Sequence, residues 1–303
     1  MTTSDTTITA QAASQSDGIN LYRPSRSKRV RRLIRTQPLG AFFLLVIVAL
    51  IVIAVFAPFF ATHSPTTTGA TNLESPSMDH WFGTDHLGRD IYSRVVHGSR
   101  TSLQVGIIAT AIGVIGGAFI GLVSGYFGGW LDMFFQRIVD TLMAFPLLIL
   151  ALIMIAVVGP SMRNVMIVVG IGIMPGVSRI IRGIVLSEKE NQYIEAAKTI
   201  GCSAPRILWR HLLPNLIAPI VVIASAVMPG AILVEAGLSF LGLGTPPPTP
   251  SWGGDLSGNA QRFFRHAPWM AIFPGLAISI VVLAFNLVGD AIRDIVDPRL
   301  RNR

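Results

Sequence analysis

Six apolar blocks, at residues 39–60, 103–126, 133–158, 165–186, 216–243 and 270–289, constrain this chain more than any other feature. Each is about 20 residues or longer, the length at which a helix crosses the hydrocarbon core of a bilayer. In lipid, only helices and closed barrels satisfy every backbone polar group, and predominantly apolar runs of this length select the helix. The predicted fold class is an all-α integral membrane protein with six transmembrane helices. A soluble globule is excluded: 51% of the 303 residues are hydrophobic and only 13% charged, too few to cover a water-facing surface.

The basic residues orient the chain. Eighteen of the 24 Lys and Arg fall on one side of the six blocks: seven from Arg23 to Arg35, Arg137, six from Arg179 to Arg210, and four from Arg293 onward. The other side holds six: Arg89, Arg94, Arg100, Arg163, Arg262 and Arg265. Positive-inside bias puts both termini in the cytoplasm. The net charge of +8 is thereby accounted for, and no aromatic-interleaved basic patch calls for nucleic acid.

The expected organisation is a cytoplasmic tail at 1–38, Thr/Ser/Ala/Gln-rich and of disordered composition, a six-helix domain at 39–290, and a cytoplasmic tail at 291–303. Long external loops are expected at 61–101 and at 245–268, the latter stiffened by Pro246, Pro247, Pro248 and Pro250. A long cytoplasmic loop is expected at 187–215. No cleaved secretory signal is expected, because the first apolar block is too long for one and follows a polar tail. Cys202 is the only cysteine, so an intrachain disulfide and a thiolate zinc site are both excluded.

The cytoplasmic loop reads Glu195-Ala196-Ala197-Lys198-Thr199-Ile200-Gly201, then, nine residues on, His211-Leu212-Leu213-Pro214. Two short helices are predicted, joined at Gly201, which can take positive φ, and stopped at Pro214. Small Ala196 and Ala197 would let another surface approach closely. This loop resembles the EAA loop of ABC importer permeases, with His211 similar to the peptide branch. Further stretches carry the resemblance: Trp81-Phe82-Gly83-Thr84-Asp85-His86-Leu87-Gly88-Arg89-Asp90, Gly125-Tyr126-Phe127-Gly128-Gly129, Leu238-Ser239-Phe240-Leu241-Gly242-Leu243-Gly244, Pro247-Pro248-Thr249-Pro250-Ser251-Trp252-Gly253, and Leu283-Ala284-Phe285-Asn286-Leu287-Val288-Gly289-Asp290. From about residue 32 to 301 the chain looks like the C-type permease of dipeptide, oligopeptide and nickel importers.

The resemblance implies a type I importer permease of the bacterial inner membrane with a cytoplasmic coupling helix. It implies Glu195, Ala196, Ala197, Gly201, His211 and Pro214 as the ATPase-coupling residues. The implied partners are a B-type permease, two cytoplasmic ATPases and an extracytoplasmic binding protein. The implied mechanism is alternating access, this subunit forming half of the path for di- or oligopeptides or a related solute. No Gly-x-x-x-x-Gly-Lys-[Ser/Thr] loop occurs, so no cofactor is expected in this chain, and ATP and Mg would bind the partner ATPases. Hydrolase and metalloprotease signatures are absent too. The competing classes, an ion-driven secondary transporter and a membrane-embedded enzyme using Glu235, Asp140 or His211, give no reason for the 195–214 loop.

Other residues carry narrower expectations. Ala109, Gly113, Gly117, Gly121, Gly125 and Gly129 recur every fourth position, which suits close packing of helix backbones. Acidic residues inside the blocks are few: Asp140, predicted to pair with Arg137 three residues away, and Glu235, open between lining the translocation path and a structural hydrogen bond. Asp85, His86 and Asp90 cluster in a spacing that matches no metal ligand set, and Arg89 between the acids points to internal salt bridging, with docking of a binding protein as the alternative role of this stretch.

Overall fold

The computed structural model describes residues 37–69 and 71–296. The basic cluster from Arg23 to Arg35 and the arginines beyond Arg293, on which much of the orientation argument rests, lie outside the described residues. From Leu39 onward the chain forms one helical body. Its major helices are α1 (Pro38–Val55), α3 (Ile91–Phe127), α4 (Gly129–Met143), α5 (Leu147–Val158), α6 (Met162–Glu188), α9 (Leu213–Phe240) and α12 (Trp269–Val296). Short helices lie between them: α2 (Ala57–Phe60), α7 (Gln192–Thr199), α8 (Ala204–Ile207), α10 (Trp252–Asp255) and α11 (Gly258–Arg262). Among the described residues five helices are long and apolar enough to cross a membrane, or six spans if the bent pair α4–α5 counts as one.

That pair departs from the expected straight helix over 133–158: α4 and α5 meet at 93°. Pro146 causes the break. Its ring bars helical φ/ψ at Phe145, and the residue itself sits at ψ 135°, outside the helix.

The centre of the molecule is the α3–α6 contact, and the small-residue ladder builds it. Ala109, Gly113, Gly117, Gly121 and Gly125 are all buried. A Cβ on Gly121 would lie 2.5 Å from the Ser178 carbonyl oxygen, and one on Gly117 2.7 Å from that of Met174. Gly170 on α6 answers from the other side, meeting Ile112 and the Ala109 carbonyl. Backbone thus lies on backbone, the arrangement by which helices associate where lipid removes any hydrophobic drive between them. The ladder ends at Gly125, because Gly129 already opens α4 at φ +61° with open space around it.

Around this pair, α9 and α12 close the core. α1 is apolar on every face, and buries only Gly40, Ile47 and Ala54, a single seven-residue stripe that clusters with α12. Phe43, Val46 and Leu50 are partly buried beside it, and most of the rest, including Leu39, Phe42, Leu45 and Val48, is exposed. Such an unbroken exposed apolar surface requires lipid or protein against it.

α3 starts twelve residues before the apolar block at 103, inside the expected external loop. Asp90 caps it, its Oδ2 accepting from the Ser93 amide at 2.8 Å. The polar first turns escape an apolar-run reading because their partners come from elsewhere in sequence. Arg94 pairs with Asp255, its Nε donating at 2.9 Å, and gives a third hydrogen bond to the Pro65 carbonyl. Trp252 donates from Nε1 to the Val95 carbonyl at 2.9 Å and covers Gly98. Trp269 reaches the Thr84 carbonyl, and the Phe82 ring stacks on Phe273 at 3.8 Å. Segments 61–90 and 241–268 therefore form one cap over the N-terminal end of α3. The prolines at 246–250 are non-helical, as expected; α10 and α11 follow them.

Candidate functional site

The 195–214 segment sits at the C-terminal end of α3, where Lys189 reaches the Gly125 carbonyl. The cap sits at the other end, about 55 Å away at 1.5 Å per residue over the 37 residues of α3. The molecule thus has two polar poles separated by a bilayer's thickness.

Local chemistry explains the turn of this segment. α7 runs only eight residues before Gly201 takes φ +79°. The Cys202 amide then donates to the Ala197 carbonyl and the Gly201 amide to that of Lys198, the paired bonds of a Schellman cap. Within α7, Ile194 and Ala197 are buried, while Glu195, Ala196, Lys198 and Thr199 are exposed. Ala197 is a correction to the expectation: its small side chain is spent on the chain's own core, clustered with Ile207, Leu208 and Leu212, and leaves no surface for a partner. Two residues that sequence reasoning missed join the exposed face, Ile200 at 79% and Trp209 at 63% exposure. The signal was present, since both are large apolar residues in a loop otherwise rich in charge.

Pro214 is a second correction. It does not stop a helix: α8, a π-helical turn at Leu208–Leu212 and α9 run on as one 37-residue helix, Ala204–Phe240. Proline has no amide to donate and its ring crowds the carbonyl four residues back, and the wider π turn immediately before it absorbs both demands. His211 lies half-buried within that turn.

α7 is tied to the membrane helices on both sides. Tyr193 donates its hydroxyl to Glu188 Oε2 at 2.9 Å at the end of α6, and accepts from Asn215 at the start of α9 at 2.8 Å. Asn191 also donates to Glu188. Burial, and then the neighbouring carboxylate, raise the Tyr193 pKa, so its hydroxyl remains a donor at physiological pH. Tyr193→Phe is expected to remove about 1 kcal/mol from this tether and to leave membrane level unchanged. Thermal unfolding would measure it; an unchanged melting temperature would mean the tether adds no stability.

Deeper in the same pole, α4 is bolted to α6. Arg182 grips Asp132 through two hydrogen bonds of 2.6 Å, and Arg179 pairs with Asp140. The expected local pair Arg137–Asp140 does not form; the neighbouring helix supplies the guanidinium instead. Beside the break between α4 and α5, an apolar groove of about 400 Å³ opens between α6 and α9, lined by Met143, Leu147, Ile173, Val177, Val227 and Ala231.

Glu235 lines no surface of this chain. It is fully buried within this chain, its Oε1 accepting from Ser239 at 2.8 Å. At the cap, Arg89 pairs with Asp85 at 2.6 Å, the internal salt bridge expected there. A cavity of about 240 Å³ adjoins it, bordered by polar His86, Arg94, Thr245 and Asp255 and by apolar Leu87, Ile91 and Met270. Burial holds the His86 pKa below its ordinary value.

Comparison with known proteins places this architecture. Residues 117–302 match the family described as binding-protein-dependent transport system inner membrane component, and residues 25–76 match the N-terminal TM domain of oligopeptide transport permease C. The chain is 45% identical over 260 residues to the dipeptide transport system permease protein DppC of Alkalihalophilus pseudofirmus, covering 86% of this chain and 85% of that one. It is 45% identical over 229 residues to the glutathione transport system permease protein GsiD of Pectobacterium atrosepticum, covering 76% of each. A chain of the inward-facing MetNI methionine ABC transporter shares the fold, with a TM-score of 0.53 at 19% identity over 67% of this chain and 96% of that one. The chain therefore belongs to the binding-protein-dependent transport system inner membrane components: it is a permease subunit of a bacterial ABC importer, a transport protein of the inner membrane and not an enzyme.

Proposed function

We propose that this permease carries di- or oligopeptides, or a related small solute such as glutathione, and that it pairs with a B-type permease above two cytoplasmic ATPases and beneath an external binding protein. The names of its relatives support the substrate class, and the match to the N-terminal domain of permease C supports the pairing. Coupling to the ATPase is assigned to α7. The carrying observation is a short helix that exposes Glu195 and Ala196, followed by exposed Ile200, in a segment that also exposes Trp209, while Tyr193 anchors it to both α6 and α9. Gly201 sets the turn, and His211 and Pro214 shape the π turn behind the surface.

ATP acts on such a device only through different affinities for two conformations. Closure of the ATPases would push on α7, and its tethers deliver that push to the two helices that wall the apolar groove. Two tests follow. The purified chain is expected to hydrolyse no ATP, and turnover that survives a contamination control would overturn the assignment. In the cytoplasmic-termini topology, with Cys202 replaced by Ser, an impermeant thiol reagent applied from outside is expected to label a cysteine at Ser77 and not one at Ser203; the reverse pattern would put α7 on the wrong side. Native mass spectrometry of the solute retained by the assembled complex identifies the substrate, and a solute with no peptide bond would refute the peptide reading.

A further inference from the structure

Asp90, the N-cap of α3, has only 1% of its side chain exposed, and a buried carboxylate needs a counter-charge. No guanidinium supplies it. Arg89 is engaged by Asp85 and Arg94 by Asp255, so that among the described residues the only ionic contacts of Asp90 are two histidines. His80 Nδ1 lies 3.0 Å from Oδ1, and His63 Nδ1 lies 3.9 Å from Oδ2. All three ligand atoms fall within 4.8 Å of one another.

A structural hydrogen bond would account for His80 alone. It does not account for His63, whose ring lies 4.7 Å from that of His80, centroid to centroid, although the two residues come from different turns of the segment. The local chain holds it there through the His63 amide, which donates to Ser93 Oγ at 2.9 Å; Nδ1, 3.1 Å from Thr62 Oγ1, would exchange that contact for the ion. The carboxylate is fixed in turn by the Ser93 amide, the Ser93 hydroxyl and Thr62 Oγ1. Outer hydrogen bonds of this kind orient the ligands of metal sites.

We propose that His63, His80 and Asp90 form a binding site for a divalent transition-metal ion, Zn²⁺ in the first place, at the cap end of α3. Two imidazoles and one carboxylate suit Zn²⁺, and three protein ligands leave a position open to solvent. Zinc distances of about 2.0–2.1 Å put tetrahedral ligand atoms about 3.3 Å apart. The His80–Asp90 pair is already near that spacing, and His63, with 46% of its side chain exposed, is free to close the rest. The bound ion would tie residues 62–63 and residue 80 to the first turn of α3, making the cap rigid where external partners approach. It is a resident ion, unrelated to the solute carried.

The test uses the full-length chain in its assembled transporter in lipid nanodiscs, purified on a histidine-free tag. Zn²⁺ titrated against a fluorescent chelator is expected to fill one site per copy of this chain. His63→Gln and His80→Gln should each weaken that site at least about tenfold, and His266→Gln should leave it intact. With Cu²⁺ as the probe, electron paramagnetic resonance should report two imidazole nitrogens in the wild type and one in each variant. If His80→Gln fails to fold, exposed His63→Gln still decides. No saturable Zn²⁺ binding by the wild type, or equal binding by wild type and His63→Gln, would overturn the proposal.

Discussion

Gly121→Leu is expected to dismantle the α3–α6 pair and remove the protein from the membrane. A Cβ at this position would sit 2.5 Å from the Ser178 carbonyl oxygen and 2.9 Å from the Arg182 amide nitrogen. Both are backbone atoms, so the helices must separate. Overpacking costs about 1–3 kcal/mol where side chains can yield, and here the expectation is about 3 kcal/mol or more, because separation also forfeits the van der Waals contact that holds helices together in lipid. Two neighbours give the comparison. At Gly116 the obstacle is the flexible tip of Met174, so Gly116→Leu should cost less; around Gly183 there is open space within this chain, so Gly183→Leu should cost least. Membrane abundance and melting temperature measure the order. Wild-type levels of folded Gly121→Leu would mean that backbone contact is not what holds the core.

The spans and the glycine ladder were legible because lipid imposes simple demands: apolar length, and small residues where backbones meet. Gly201 was legible because a left-handed turn has few other solutions. What the sequence hid was mostly tertiary. Local spacing paired Asp140 with Arg137, but Arg179 approaches across a helix boundary that no spacing rule can see. Glu235 was ambiguous because a buried acid and a path-lining acid look alike in sequence, where its partner Ser239 does not announce itself. His63, His80 and Asp90 are far enough apart in sequence that no ligand spacing links them. Other features were readable and were passed over. Pro146 stands inside the third apolar block, and Ile194 and Ala197 show the i, i+3 spacing of a buried face, which marks Ala196 and Glu195 as the outer one.

Gly201→Val is expected to abolish solute uptake by tenfold or more while leaving membrane level near normal. No atom lies within 4 Å of a Cβ built there, so the penalty is conformational: a β-branched residue held at φ +79° costs about 1–3 kcal/mol. That is large for an eight-residue helix, which has little stability of its own and depends on its cap. The carbonyls of Ala197 and Lys198 lose their partners, α7 frays, and the exposed residues no longer present one surface. Asn tolerates the left-handed region, so Gly201→Asn should restore most of the uptake. Two substitutions in the same helix separate the causes. Ala196→Trp, on the outer face, should reduce the ATPase recovered with the complex while the chain itself remains folded. Ala197→Trp, at 4% exposure, should instead destabilise the chain and lower its membrane level, because it overfills the cluster with Ile207, Leu208 and Leu212. If Gly201→Val transports as well as Gly201→Asn, and Ala196→Trp retains its ATPase, then α7 is only a surface helix and force must enter this subunit elsewhere.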